Sequence, residues 1–305
     1  AAFGRPLLPS EILVMTFTNR AARTLRQRLR DEVGHGCDPI EAGTFHAFCL
    51  RVMTRIPRSF GIAQAQIIDA DDQESLMGLA RSSLLKRLTG PRRGFPSPEQ
   101  LLSHYSYSRN TLLDPQQYLR TRTDLEEDQI ALSLEMFSTY QHMKEERGYL
   151  DYDDLLIRFD ASLSEKPKLR HAVCSLFDEV LVDEMQDTNP IQFSVLRHFS
   201  AEGVRLFCVG DPAQSIYRFR GAEFKHMMEF DTVFGNSITF SLSVNYRSYQ
   251  EILDFSNWLL HRSQLSYPTN LESARGAGHL RVRVEDFEHQ EDECAWIADQ
   301  LVAYT

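Results

Sequence analysis

Short runs of apolar, mostly β-branched residues recur along the chain, and most are followed by a stretch with helical spacing of its apolar positions. The strands predicted from these runs are Ile12–Phe17, Ile40–Thr44, Val180–Asp183, Arg205–Val209 and Ile238–Leu242. None shows polar alternation, as expected of parallel strands covered on both faces. Helices are predicted at Asn19–Val33, Thr44–Arg55, Pro190–Phe199 and Gln250–Leu260. Strand then helix, repeated, specifies a doubly wound α/β domain. From about Asp71 to Leu156 the alternation stops. That stretch reads as helices at Asp72–Leu88, Ser97–Ser103, Asp114–Thr121 and Asp124–Gly148, with a Gly/Pro-rich break at Thr89–Pro98. It has no strand pattern and is expected to be a helical insertion into the α/β domain. Asp151 followed by Asp154 has the form of a helix N-cap with a supporting acid. A further strand, His279–Val284, and a helix from Glu291 are expected in the tail.

Composition adds bounds rather than chemistry. The chain has 305 residues, 42% hydrophobic and 25% charged, enough for two packed domains and without the roughly 20 consecutive apolar residues of a membrane span. It opens on Ala1 directly before an interior-type strand and reads as a piece of a longer protein. The five cysteines form no CxxC pair and are expected to be buried thiols of a reducing compartment. Net charge is −10, but it is segregated. Residues 81–122 hold eight basic against two acidic residues, and residues 124–154 hold ten acidic against two basic. A polyanion senses local field within a Debye length of about 8 Å, so the basic segment, with Arg92 and Arg93 at its centre, is a candidate DNA contact. Two solvated helix faces of opposite sign are the other reading.

Three segments carry candidate chemistry. In VLVDEMQDTN, Val180 to Asn189, a strand ends in two acids at the carboxyl edge of a sheet, where α/β folds bind ligands. In a nucleotide hydrolase Asp183 would hold Mg²⁺ through water, and Glu184 would orient and deprotonate the attacking water. A surface turn is the bland alternative for the dipeptide alone. In LFCVGDPAQSIYRFRGA, Leu206 to Ala222, Gln214 could sense a terminal phosphate. Tyr217 and Phe219, interleaved with Arg218 and Arg220, suit bases stacked along a phosphate track, although one of the two rings could serve the core. In LSVNYRS, Leu242 to Ser248, Arg247 could reach a γ-phosphate and Tyr246 could stack on a purine, or the two could be a surface ion pair and an interfacial ring. Nearer the start, Thr16, Thr18 and Asn19 sit at a strand-to-helix turn able to hold a phosphate, and GTFHAF, Gly43 to Phe48, repeats the arrangement. Arg23, Arg26 and Arg30 share one face of the helix after the first of these turns. His46 has no partner at metal-ligand spacing and reads as a phosphate contact or a helix N-terminal residue.

MTFTN, GTFH, VDEMQDTN, GDPAQSIYRFRGA and NYRS, in this order and at these gaps, resemble motifs Ia, Ib, II, III and IV of the UvrD/Rep/PcrA helicases of superfamily 1. The resemblance spans nearly the whole chain. It implies a RecA-like P-loop NTPase domain with a parallel sheet (residues 1–70 and 157–275), a helical 1B-like insertion (71–156) and the start of a second RecA-like domain (276–305). It implies an ATP-driven, Mg²⁺-dependent motor that walks 3′→5′ along single-stranded DNA and separates duplexes, acting inside the cell, in the cytoplasm of a prokaryote or the nucleus of a eukaryote. By motif position Asp183 and Glu184 serve Mg²⁺ and the catalytic water, Gln214 and Arg247 contact the γ-phosphate, and Tyr246 stacks on adenine. Thr16, Phe17, Asn19, Thr44, Phe45, His46, Tyr217 and Phe219 would line the DNA path, and the insertion, with Arg92 and Arg93, would meet duplex DNA. Met185 stands where phenylalanine is usual, and Arg218-Phe219 where UvrD commonly has Gly-Trp, which is nearer the AddA/RecB form.

The family's GxxxxGK[ST] loop does not occur in these residues. Its amides and lysine supply most of the phosphate cradle, so the chain is expected to bind ATP and Mg²⁺ weakly or not at all and not to hydrolyse ATP unaided. The contrasting expectation is a non-hydrolysing DNA-binding or adaptor protein on a helicase-like scaffold.

Overall fold

The computed structural model describes residues 5–87, 95–223, 225–263, 270–278 and 281–303. Arg92 and Arg93 lie outside the described residues. The chain forms two compact units, residues 1–237 and 238–305.

In the first unit four of the apolar runs build one parallel sheet: β1 (Ile12–Thr16), β2 (Glu41–Thr44), β5 (Glu179–Val182) and β6 (Arg205–Cys208), in the order β2-β1-β5-β6. The register is level at one end. Met15 stands beside Gly43 and Val182, and Val182 beside Cys208. The segments leaving all four strands, from Phe17, Phe45, Asp183 and Val209, therefore emerge along a single edge. The helices that follow start where the chain supplies a cap. Thr18 Oγ1 accepts from Ala21 N at the start of α1 (Asn19–Val33), and Thr44 Oγ1 accepts from Ala47 N at the start of α2 (Phe45–Arg55). Leu13, Met15, Val180 and Val182 are buried with Phe48, Phe159 and Phe199 in one core. That core includes α2, α7 (Tyr152–Glu165) and α9 (Pro190–Ala201), with α8 (Pro167–Cys174) between the last two in sequence. The expectation of strands covered on both faces fails at β6. This strand is a sheet edge, and Phe207 and Val209 are about half exposed (52% and 46%).

The insertion has a separate core. Helices α3 (Ala70–Leu85), α4 (Pro98–Asn110), α5 (Pro115–Arg122) and α6 (Glu127–Arg147) pack around Met77, Leu101, Leu119, Phe137 and Tyr140. Its entry and exit are pinned by a parallel pair missing from the sequence expectation, β3 (Gln66–Ile67) with β4 (Tyr149–Leu150). Two residues are too few to leave a periodic signal. Much of the basic segment is neutralised at home: Arg109 pairs with Asp154, Arg120 with Glu127 and Arg87 with Glu135. Asp151 and Asp154 form the expected capping box of α7, and both are buried against Lys144, which has no exposed surface.

The second unit holds α12 (Gln250–Arg262), α13 (Gln290–Ala303) and a two-residue parallel pair, β7 (Val244–Asn245) with β8 (Glu272–Ser273). Short helices α10 (Lys225–Met228) and α11 (Phe230–Phe234) precede it at the end of the first unit. The strand expected at Ile238–Leu242 is not formed, and Ile238, Phe240 and Leu242 are 80–86% exposed. Contrary to the expectation of no polar alternation, Thr239 and Ser241 alternate with these three apolar residues; such a run becomes a strand only beside a partner, and among the described residues none pairs there. The boundary expected between 275 and 276 falls inside this unit; the division comes at Ser237. Of the strand expected at His279–Val284, residues 279 and 280 lie outside the described residues and 281–284 are not extended into a ladder. Cys37, Cys49 and Cys174 are buried as expected, Cys208 is half-buried, and Cys294, on α13, is exposed.

Candidate nucleotide and nucleic-acid site

The acid loop begins where β5 ends. Asp183 N donates to Met15 O (3.0 Å), the last rung before the chain leaves the sheet. Glu184 then takes a left-handed conformation (φ +55°, ψ +46°), which is costly for a residue with a Cβ. The turn exposes both carboxylates and buries Met185, Gln186 and Asp187 behind them. Gln186 fixes the arrangement from below. Its amide donates to Glu184 Oε2 (2.7 Å), and its carbonyl accepts from Asp211 N (3.0 Å) at the turn after β6. Asp211 Oδ2 in turn accepts from Gln214 Nε2 (2.7 Å). Gln186 thus bridges the acid pair to the turn that carries Gln214. Gly210 makes this approach feasible, because a Cβ there would lie 2.5 Å from Gln186 Oε1 and 3.0 Å from Met185 N.

The electrostatics of this edge are one-sided. Partial burial, then the neighbouring Glu184 charge, raises the Asp183 carboxyl above its usual range. The same two causes push Asp187 up to about 6, and its Oδ1 is buried without a hydrogen-bond partner. Among the described residues no lysine or arginine pairs with Asp183, Glu184 or Asp187. Nor do three or more His, Cys, Asp or Glu side chains form a ready-made metal cluster there. Mg²⁺ needs no such cluster, since it takes one or two carboxylates and completes its shell with phosphate oxygens and water. The acid pair and its unmet demand for positive charge fit that ion.

Beside the acid loop the edge carries rings. Phe17, which follows β1, lies 4.8 Å from Tyr217 between ring centroids, and Tyr217 lies 6.0 Å from Phe219. The three form a row in which Phe17 and Tyr217 are half-buried and Phe219 is 68% exposed. Past β2, a pocket of about 450 Å³ is lined by Asn19, Thr44, His46, Ala47, Leu50, Tyr152 and Leu155. His46 meets Tyr152 edge-on at 6.4 Å, and burial lowers its pKa to about 4, so the ring is neutral at physiological pH.

Residues 5–235 match the UvrD/REP helicase N-terminal domain. The chain belongs to that family. It is 33% identical over 306 aligned residues to the ATP-dependent DNA helicase UvrD1 of Mycobacterium tuberculosis, covering 96% of this chain and 38% of the relative. It is 30% identical over 271 residues to the ATP-dependent DNA helicase PcrA of Bacillus subtilis, covering 88% and 36%. A probable DNA helicase II homolog of Mycoplasma capricolum is 28% identical, covering 96% and 40%. The chain thus spans less than half the length of these relatives.

For this UvrD/REP-family chain, the structure brings together Asp183, Glu184 and, through Gln186 and Asp211, Gln214. It also brings together Phe17, Tyr217 and Phe219, and separately Asn19, Thr44 and His46. It corrects two expectations. Thr16 is buried and spends its hydroxyl on Thr18 O (2.9 Å), so it shapes the turn instead of facing a ligand. Phe45, the first residue of α2, is buried in the main core with Phe48 and Cys49 and so serves packing instead of facing a ligand. Of the three arginines expected on one face of α1, Arg26 holds Ala42 O (2.7 Å) and Arg30 holds Asp38 (2.6 Å). Tyr246 and Arg247 belong to the second unit, where both are exposed on a turn closed by Asn245 Oδ1, which accepts from the backbone N–H of Arg247 (2.9 Å) and Ser248 (2.8 Å). Two residues went unnoticed in the sequence. Gln186 lies within the acid string, and its role follows only from the proximity of Asp211. Tyr152, 52% exposed, follows the N-cap Asp151, and the cap was the available signal that its ring starts a helix at the pocket rim.

Proposed function

We propose that the intact protein is an ATP-driven 3′→5′ DNA translocase and helicase and that this chain supplies its hydrolytic acids and part of its single-strand track. The observation that carries the reading is the acid pair at the carboxyl edge of a parallel sheet, tied through Gln186 to Asp211 and Gln214, with the Phe17–Tyr217–Phe219 row beside it. Asp183 holds Mg²⁺, and Glu184, aimed outward by its left-handed backbone, orients the attacking water and takes its proton. Bound Mg²⁺ supplies neutralisation of the charge that builds on the phosphates. Gln214 senses the γ-phosphate. By motif position alone, Arg247 is assigned to the γ-phosphate and Tyr246 to stacking on adenine. The phosphate cradle comes from outside these residues, and the open edge of β6, with Phe207 and Val209 half exposed, suits a further parallel strand that would bring it.

Single-stranded DNA stacks its bases on Phe219, Tyr217 and Phe17 and passes Asn19, Thr44, His46 and Tyr152. The neutral His46 contributes a ring and a hydrogen bond to that track rather than a charge. Duplex DNA meets the insertion, where Lys86 and Arg122 are exposed and where Arg92 and Arg93 fall in the sequence.

Glu184→Gln in the full-length protein tests the reading. ATP hydrolysis stimulated by single-stranded DNA should fall by at least about a hundredfold while DNA binding persists, because the base is lost and the track is untouched. A full-length protein with no DNA-stimulated hydrolysis before mutation would instead be the non-hydrolysing DNA-binding scaffold.

A further inference from the structure

The end of α4 is where the helical insertion touches the acid loop. Asn110, the last residue of α4, is buried; its amide also donates to Ser106 O (2.9 Å) one turn back, and beyond α4 it has two partners of opposite demand. Asp153 can only accept, so the Asn110 amide N–H faces it (Nδ2 to Oδ1, 2.7 Å). The Asn110 carbonyl is thereby turned to Asn189, whose Nδ2 donates to it at 3.0 Å. Asn189 closes the acid loop and caps α9, its Oδ1 accepting from Gln192 N (3.0 Å). The next residue, Thr111, lies against the turn that carries the aromatic row. A Cβ on Gly221, which has φ +83°, would lie 2.6 Å from Thr111 Cγ2. One residue earlier, Arg109 pairs with the buried Asp154 (2.8 Å). Three consecutive residues at one helix end thus touch α7, the acid loop and the aromatic turn.

We propose that Asn110 is a positioning residue that couples DNA held by the insertion and the aromatic row to hydrolysis at the acid loop. The proposal rests on the motor reading above. Its physical basis is that a buried amide donating on one side and accepting on the other has a single satisfied placement. A shift of α4 breaks one of the two bonds, so the insertion and the end of the acid loop move together. Position alone does not demonstrate coupling, whereas reciprocal substitution does.

The test uses the full-length protein and compares ATP hydrolysis with and without oligothymidylate. Asn110→Asp sets a carboxylate against Asp153 and should lower the stimulated rate about tenfold, within the usual range of coupling between sites, leaving the DNA-free rate unchanged. Adding Asp153→Asn should restore stimulation in part, because the carboxylate at 110 then accepts from Asn189 and from the new amide at 153, and the Ser106 hydroxyl (3.1 Å) can donate to it, while the Ser106 carbonyl (2.9 Å) still opposes it. Asn110→Ala, which adds no charge, replaces Asn110→Asp should the latter not fold, and should lower stimulation in the same selective way. Stimulation that survives either single variant, a parallel loss of both rates, or a double variant no better than Asn110→Asp overturns the inference and leaves the motor reading standing. A wild-type protein without stimulated hydrolysis overturns both.

Discussion

Two groups of carboxylates lie in the first unit and are treated in opposite ways. Asp151 and Asp154, beneath the insertion, are buried with Lys144 between them, its Nζ 2.7 Å from Asp154 Oδ2, while Arg109 holds the other Asp154 oxygen. Tyr140 donates to Asp151 Oδ2, and each acid also accepts a backbone N–H from the other's residue. Burial and then the Asp154 charge raise Asp151, whereas for Asp154 burial is outweighed by Arg109 and then Lys144, which hold that carboxyl below its usual range. Asp183, Glu184 and Asp187, at the sheet edge, have backbone strain and an orphaned oxygen in place of cations, and both Asp183 and Asp187 are raised. Charge that serves the fold is compensated within the fold. Charge that serves a ligand is left partly uncompensated, and that imbalance marks the candidate site more sharply than acidity does.

The comparison breaks most visibly at Lys144. Lys144→Met removes one cation and leaves two buried carboxylates with Arg109 alone, and truncating one side of a buried ion pair costs about 3–5 kcal/mol. Urea unfolding should show that loss, whereas Glu184→Gln, at the exposed edge, should stay within about 0.5 kcal/mol of wild type. If the two variants are equally stable, the cluster is not the structural element described. A smaller effect is expected at Gly210, where the sites differ in how closely backbone is brought together. Gly210→Ala places a methyl against Gln186 Oε1 and the Met185 backbone, and overpacking of this kind costs about 1–3 kcal/mol. It should also pull Gln186 from Glu184, so thermal unfolding and hydrolysis by the full-length protein should both suffer. Normal stability would mean that the turn relaxes without disturbing the acid loop.

The contrast also explains what was legible in the sequence. Helix α1 runs over the residues its pattern predicted, Asn19–Val33, because its signals are local: the Thr18 cap, the apolar spacing and Gly34 at its end. Asp183 and Glu184 at a sheet edge were legible for the same reason, as the end of an apolar run. The face presented by a residue at the end of a strand or just past it was not, and so Thr16 and Phe45 turned inward although they sit in the same strings as Asn19 and His46. The capping box at Asp151 was readable, yet nothing near it announced that Lys144 and Arg109 would converge on those acids. The Asn110–Asn189 bond joins residues 79 apart, and such pairings exist only once the insertion is docked. Ile238–Leu242 failed in the opposite direction, having the local pattern of a strand without a neighbour to complete it.

Asp187 offers the mildest test, and its sign is opposite to that of Asp154. Its folded-state pKa is raised from the usual 3.8 to about 6 by burial and by Glu184. Between these values the folded chain holds a proton that the unfolded chain has released, so this group's effect on stability worsens as pH rises through the window and is most unfavourable above about 6. Asp154, held low by its cations, behaves in reverse: its contribution is present above the unfolded pKa and is lost as pH falls through the folded one. Asp187→Asn removes the ionisation and keeps the size. Melting temperatures at pH 7.5 should then favour the variant, by under about 1 kcal/mol once solvent screening from the exposed Glu184 side is allowed for, and the advantage should vanish at pH 4. A variant equally stable to wild type at both pH values would show that Asp187 is compensated after all, and the sheet edge would then differ from the Lys144 cluster in exposure alone.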